Sequence, residues 1–262
     1  MLTGVGSSSI HTNLLQAGSA RSKAIQHLAS GKAINRASED VAGSSMLAAF
    51  ESQTRSLSQM MSNQQSQSNL LQTASGSLSS TSDILQNIND LALQASNGTL
   101  TDDDRAAIQQ QIDQLSSQIT DGANQAQFNG QNLLDGSFST TLQNGDKLSI
   151  GSMTAEGLGI DKLSVATQAD AMAATQQIAS AMNKVVSTQG NLGSAINGIS
   201  SSLNNLNNQY MNGLSAQSSI GDVDFANEVM NLTLSRMQSQ ASLSVFNMNN
   251  ESRSNVLRLL SE

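Results

Sequence analysis

The sequence predicts a mainly α fold: long antiparallel helices in a coiled-coil bundle, a small β-hairpin region, and terminal helices that pair as a second layer. Three observations carry this. From Leu70 to Ala95, apolar or small residues fall at Leu71, Ala74, Leu78, Thr81, Leu85, Ile88, Ala92 and Ala95, steps of three and four that draw one narrow stripe down a helix. Such a seam covers only about 2/7 of a helix surface and needs partner helices of comparable length lying along it. The 262 residues include no proline and only 2% aromatic side chains, the remainder being rich in Ser, Gln, Asn and Ala. This suits unbroken helices and argues against a large globular core. Near residues 137–150 the helical spacing gives way to strict alternation, the pattern of a half-buried strand.

In chain order, residues 9–30 carry Ile10, Leu14, Ala17, Ala24 or Ile25, and Leu28 near helical spacing and stop at Gly31, which tolerates a left-handed cap. Alone this helix has too little apolar surface to offset an ordering cost of about 1–2 kcal/mol per residue, so it requires a partner. Ser38, Glu39 and Asp40 read as a cap followed by acids in a first turn, opening a helix from about residue 39 to Ser96. Its stripe turns polar between Gln64 and Ser68, where a register-fixing polar layer or a solvated stretch is expected. Asn97-Gly98-Thr99 breaks it. Thr101 and Asp104 have capping-box spacing, with Asp in place of Glu or Gln, and Asp102 to Asp104 suit the positive end of a helix dipole. The helix they open has its seam at Ile108, Ile112, Leu115, Ile119, Ala123 and Ala126; the short turn before it folds it back antiparallel on its predecessor. Gln127-Phe128-Asn129-Gly130 ends it.

Phe138, Thr140 and Leu142 then alternate, Asn144-Gly145 is a strong hairpin turn, and Leu148 and Ile150 alternate on the return. Leu158, Ile160, Leu163 and Val165, with Gly157 and Gly159 as bends, predict a further strand or two. Asp170 can cap a last long helix with a seam of Ile178, Met182, Val185, Gln189, Leu192, Ile196, Ile199, Leu203, Leu206 and Tyr210, the main partner of the first long helix. After a looser stretch from Leu214 to Ile220, Val223, Ala226, Met230, Leu234, Met237, Ala241, Val245 and Met248 recur at helical spacing.

A net charge of −8 with 12 basic residues argues against a nucleic-acid surface, which needs clustered Lys and Arg. With no cysteine and only His11 and His27, neither a metal nor a cofactor is expected. Met1 to Ile10 lacks the charged start and apolar core of a cleaved signal, and no stretch reaches ~18 apolar residues, so membrane insertion is not expected either. Enzyme chemistry has little footing: the serines lack a G-x-S-x-G turn, His27 reads as an interface residue, and a capped helix start accounts for Asp102 to Asp104.

Self-association is the function class that remains. The two terminal segments each carry an apolar stripe with no compact core to dock on, and Val256, Leu257, Leu259 and Leu260 would stand exposed in a monomer. The candidate assembly residues are therefore Ile10, Leu14, Ile25, Leu28 and Ile34 at one end, and Met230, Leu234, Met237, Val245, Val256, Leu257, Leu259 and Leu260 at the other.

His27-Leu28-Ala29-Ser30-Gly31-Lys32-Ala33-Ile34-Asn35-Arg36-Ala37-Ser38-Glu39-Asp40-Val41-Ala42-Gly43 closely resembles the N-terminal signature of bacterial flagellin. Asn97-Gly98-Thr99 and Gln127-Phe128-Asn129-Gly130 match two further family landmarks in order, and Ala226-Asn227-Glu228-Val229, Gln240-Ala241 and Val256-Leu257-Arg258-Leu259-Leu260 resemble the family's C-terminal helix. The resemblance spans about residues 8–135 and 170–260. It implies a secreted structural subunit that self-assembles into the flagellar filament for motility, exported by the flagellar type III apparatus without a cleaved signal. It implies as partners further copies of the chain, the filament cap, junction proteins and an export chaperone. Segments 1–40 and 222–262 would form the inner filament layer, lining its channel, and 41–221 the outer layer, with the hairpin region at about 137–167. Because only Ser137–Thr167 separates the helical halves, this would be a short form lacking large central surface domains. A hook–filament junction protein or other rod-like scaffold subunit is the alternative, which the C-terminal match disfavours. Arg253 stands where many flagellins have proline.

Flagellins sensed by the flagellin-recognising Toll-like receptor present an arginine, a leucine and a glutamate on the first two outer-layer helices. Alignment on the two landmarks keeps the leucine as Leu91 but places Asn87 and Gln111 at the charged positions. Loss of an arginine at an interface centre costs roughly 2 kcal/mol or more, and removing both charges also weakens electrostatic steering. Weak or no activation is therefore expected in a reporter-cell assay on monomer, with a gain in the double variant Asn87→Arg, Gln111→Glu; strong activation by the unmodified chain refutes this.

Overall fold

The computed structural model describes residues 3–142, 145 and 147–259; for residues 3–8 and for Arg253, Val256, Leu257 and Leu259 the description is of the backbone only. The elements are α1 (Thr3–Ser30), α2 (Val41–Ala95), α3 (Asp102–Gln125), β1 (Gln127–Phe128), β2 (Gln131–Asn132), β3 (Ser139–Thr141), β4 (Lys147–Ser149), α4 (Ala155–Leu158), α5 (Gln168–Gly221) and α6 (Phe225–Leu259). They form two compact units, one of Ser58–Asn208 and one of Met1–Leu57 with Gln209–Glu262.

In the unit of Ser58–Asn208, every predicted seam residue of α2 from Leu71 to Ala95 is buried. It shares one core with Ile108, Ile112, Ile119 and Ala123 of α3 and with residues of α5. On α5 the buried positions in this unit are Ala171, Ala174, Ile178, Ala181, Val185, Leu192, Ala195, Ile199 and Leu206. The seam thus runs through Ala181 and Ala195, while the expected Met182 and Ile196 flank it half-buried. A methyl group at the contact lets two backbones approach, and the longer side chains then cover the flank. The expected polar layer is present: Gln64 is buried and its Nε2 donates to Ser202 Oγ at 2.8 Å. Gln189 Nε2 lies 3.4 Å from Ser79 Oγ, so residue numbers run in opposite senses on α2 and α5.

Short polar side chains decide where helices start. Thr101 and Asp104 form the expected capping box on α3. Ser38 does not cap α2; Asp40 does, its Oδ1 accepting the Gly43 N–H at 2.9 Å, and the helix opens at Val41. Thr167, not Asp170, caps α5: its Oγ1 accepts the Asp170 N–H at 3.1 Å and donates to Asp170 Oδ2 at 2.7 Å. In both cases the oxygen comes from the residue three positions before the N–H it accepts, which is the distance a short side chain can span. The stretch expected to be looser, Leu214 to Ile220, is helical to Gly221.

Asn129 and Gly130 do more than end a helix. With φ of 51° and 79° they join β1 to β2, which pair antiparallel with Gln127 opposite Asn132. Two consecutive positive φ angles match the right-handed twist of a tight hairpin, the conformation Asn-Gly adopts most readily. The second hairpin is as expected, with Thr140 opposite Leu148 and with Phe138 and Ile150 buried. Asn144 of its turn lies outside the described residues; Gly145 has a φ of 88°. The further strand expected from Leu158 to Val165 does not form. Ala155–Leu158 is a helical turn, and Gln109 of α3 takes the place of a partner strand, its Nε2 donating to the Leu163 carbonyl at 2.9 Å and its Oε1 accepting the Val165 N–H at 2.8 Å. The apolar side chains are buried as in a strand, but a side-chain amide satisfies the backbone.

The end of α2 is held by a residue without any sequence signal. Arg105, 9% exposed, donates from Nη1 to the carbonyls of Ala95 and Asn97 at 3.2 and 3.1 Å, and from Nη2 to that of Leu100 at 2.8 Å. These carbonyls carry the negative end of the helix dipole and the turn after it, and a buried guanidinium satisfies all three. Arg105→Met, which keeps the bulk and removes the donors, is expected to cost about 3 kcal/mol in urea unfolding followed by circular dichroism; a change within error would remove this role.

Candidate assembly surface

In the unit that contains both termini, α1 and α6 pack along each other, antiparallel because the last turn of α1 meets the first turn of α6. On α1 the shielded positions are Ala17, Ala24 and His27, with Ile10, Leu14 and Leu28 half-buried. On α6 they are Glu228, Leu232, Ser235, Ser239, Ser242 and Asn249, steps of four and three as far as Ser242 and then one heptad to Asn249, which trace one face. Apart from Leu232 that face is polar, with serine at Ser235, Ser239 and Ser242. Alanine and serine allow close approach, and little of the contact is driven by apolar burial.

The junction between these helices is a built site. Gly31, with a φ of 70°, closes α1. The chain then makes a short antiparallel bridge at Lys32 and Asp222, in which the Ala33 N–H donates to the Gly221 carbonyl at 2.8 Å and the Val223 N–H to the Gly31 carbonyl at 3.0 Å. His27, 7% exposed, sits over this bridge with Nδ1 3.1 Å from Glu228 Oε1 and Nε2 3.6 Å from Glu39 Oε1. One imidazole thus faces a carboxylate from α6 and one from the connector before α2. Glu39 also folds that connector, its Oε2 accepting the N–H groups of Asn35 at 2.8 Å and Arg36 at 3.2 Å. The Asn35 N–H is the chief reason its carboxyl is held below its ordinary range; partial burial opposes this, while the Arg36 N–H and the nearby His27 and Lys23 assist. Asp224 starts α6 by accepting the Ala226 and Asn227 N–H groups.

The apolar stripe of α6 points elsewhere. Met230, Leu234, Met237, Val245 and Met248 are all exposed, and Met230 and Met237 stand on the side of the helix opposite its α1-facing residues. Of the remaining candidate assembly residues, Ile10, Leu14, Leu28 and Ile34 are half-buried and Ile25 is exposed. The backbone is helical through Arg253, Val256, Leu257 and Leu259, whose side chains are outside the description, and Leu260 lies outside the described residues. In the other unit, Asn87 and Gln111 are exposed and Leu91 is half-buried. The sequence predicts Glu39 as a first-turn acid and Glu228 as part of a C-terminal motif, but Glu39 precedes α2 and both face His27; no local pattern signals a carboxylate that meets a histidine from a distant helix.

Residues 2–139 match the family described as the bacterial flagellin N-terminal helical region, and residues 175–260 match the bacterial flagellin C-terminal helical region. The flagellar filament 31.3 kDa core protein of Treponema maltophilum is 32% identical, over 95% of this chain and 93% of its own. The flagellin of Bacillus subtilis is 33% identical over 92% of this chain and 93% of its own. A solved structure from Vibrio parahaemolyticus, described as a flagellar hook-associated protein, shares the fold with a TM-score of 0.60 and 19% identity, covering 70% of this chain and all of its own.

Acid is expected to weaken the junction through Glu39. Its folded carboxyl ionises below the unfolded value, so its contribution to stability is present above about pH 4.3 and is lost as pH falls through the folded value. Glu39→Gln should therefore be less stable than the parent at pH 7, with the difference closing below about pH 4 in urea titrations. A pH-independent difference would contradict this account.

Proposed function

The chain belongs to the bacterial flagellin family, and on that premise we propose that segments 1–40 and 222–262 build the inner layer of its filament and 41–221 the outer layer. Its function is that of a structural subunit, not an enzyme, which self-assembles into the extracellular flagellar filament for motility; it is a short form that lacks the large central domain. The assembly surface we assign to the outward stripe of α6, with Ile10, Leu14, Ile25, Leu28 and Ile34 from the N-terminal segment and Val256, Leu257, Leu259 and Leu260 at the C-terminal end. The filament cap, the junction proteins and an export chaperone are the partners we assign to it beside further copies of itself, and we take export to leave the N-terminal segment uncleaved.

One observation carries this reading: α6 is paired with α1 through its polar face, so its apolar face has no partner within the described residues of the chain. Apolar surface left in water drives association at roughly 25 cal/mol per Å² buried. A contact repeated head to tail without closing a ring extends into an open helical polymer. In the outer region, the exposed Asn87 and Gln111 beside Leu91 give the receptor surface proposed for this chain no charged anchor.

Deleting residues 1–35 or 225–262 is expected to abolish seeded polymerisation while the helical signal of the Ser58–Asn208 unit persists. Seeds purified from culture medium should retain Thr3 to Ile10 on mass spectrometry. Filaments of normal length from either truncation would sink the assignment of the terminal helices.

A further inference from the structure

The outward stripe of α6 has a chemistry that packing alone does not require. Met230, Met237 and Met248, exposed by 67%, 55% and 62%, interleave along it with Leu234, Ala241 and Val245. Leucine would fill the same positions with comparable volume and comparable helix propensity. What methionine adds is a thioether, which oxidants attack where the sulfur is accessible. Here all three sulfurs lie on one face of one helix, and it is the face assigned above to contact with a second copy.

We propose that Met230, Met237 and Met248 form an oxidation site through which peroxide-class oxidants control the addition of subunits to the filament. The inference rests on the assembly surface proposed for α6. In the reaction a sulfur lone pair attacks one peroxide oxygen, the O–O bond breaks, and a proton shift releases water. The thioether becomes a sulfoxide, losing two electrons that the peroxide gains, and no further reactant is needed. The product is polar and chiral, and burying it against an apolar neighbour without a donor to its oxygen is costly. Oxidation therefore acts on the free subunit. Once a neighbouring copy covers the stripe, the sulfurs are out of reach. Methionine sulfoxide reductases reverse the change, one enzyme for each epimer, so the block is a reversible one.

The test uses full-length monomer, hydrogen peroxide and unmodified seeds. Mass spectrometry should find sulfoxide at Met230, Met237 and Met248, and seeded elongation should fall about tenfold or more. Treatment with both reductases should restore it. The triple variant M230L/M237L/M248L should elongate normally before and after the same peroxide dose, although Met172, exposed by 59% on α5, is still oxidised in it. In preformed filaments the three sulfurs should react about tenfold more slowly than in monomer. Normal elongation of oxidised wild type, or equal inhibition of the triple variant, overturns the proposal. If the triple variant assembles poorly even unoxidised, reductase rescue of wild type decides: recovery supports the site and no recovery refutes it. Leu234→Asp separates the two levels of the argument. Normal filaments from it defeat the assembly surface itself, whereas a block by Leu234→Asp beside normal growth of oxidised wild type defeats only the oxidation site.

Discussion

The buried seam of α2 is the constraint on which the Ser58–Asn208 unit depends. Leu71, Leu78, Leu85 and Ile88 are fully enclosed, with Ala74 and Thr81 between them and Ala92 and Ala95 following. Large residues supply apolar burial, and small ones permit α3 and α5 to approach. A chain with 2% aromatic residues cannot fill wide gaps between helices, so its core has to be narrow and its helices close. Ala181 and Ala195 at the facing positions of α5 follow from the same requirement. Polar contacts do what the seam cannot. Gln64 with Ser202 marks the register, and Arg105 closes the end of α2 where the seam runs out.

The unit with the two termini is held differently. Its helices meet through alanine, serine and one buried histidine, with carboxylates from two other segments against the imidazole. A contact of this kind aligns α1 with α6 but contributes little hydrophobic stabilisation. The apolar residues of α6 are kept for the opposite face. In a protein that functions alone, that division would be an aggregation hazard. In a filament subunit of the kind proposed, the pairing with α1 and the assembly stripe assigned to α6 draw on different residues of that helix.

The junction of His27, Glu39 and Glu228 shows how tightly the connector is specified. Glu39 accepts two backbone N–H groups, faces the histidine, and leaves Asp40 to cap α2. Gly43 follows from this closeness, since a Cβ there would meet the Asp40 carboxylate at 2.5 Å and Ile34 Cδ1 at 2.6 Å. Glu39, Asp40 and Gly43 of the family signature thus have separate physical tasks within a few residues.

Periodicity by itself determined much of this protein: the long helices, their antiparallel pairing, the seam from Leu71 to Ala95, the hairpin around Thr140 and Leu148, and, with the ordered motifs, the filament family. These are legible because they depend on spacing within one segment, where 3.6-residue and two-residue repeats leave a trace. Tertiary structure alone decided the rest. Leu158 to Val165 has the pattern of a strand, yet Gln109 of α3 claims its backbone. Asn129-Gly130 carries a hairpin turn, but only the pairing of its flanks distinguishes that from a helix stop. The stripe of α6 is plain in the sequence, whereas its direction is not, because a helix with one apolar and one small polar face can pack through either. Which face meets α1 is settled by residues some two hundred positions away, where His27 meets Glu228, and no local pattern can encode that meeting.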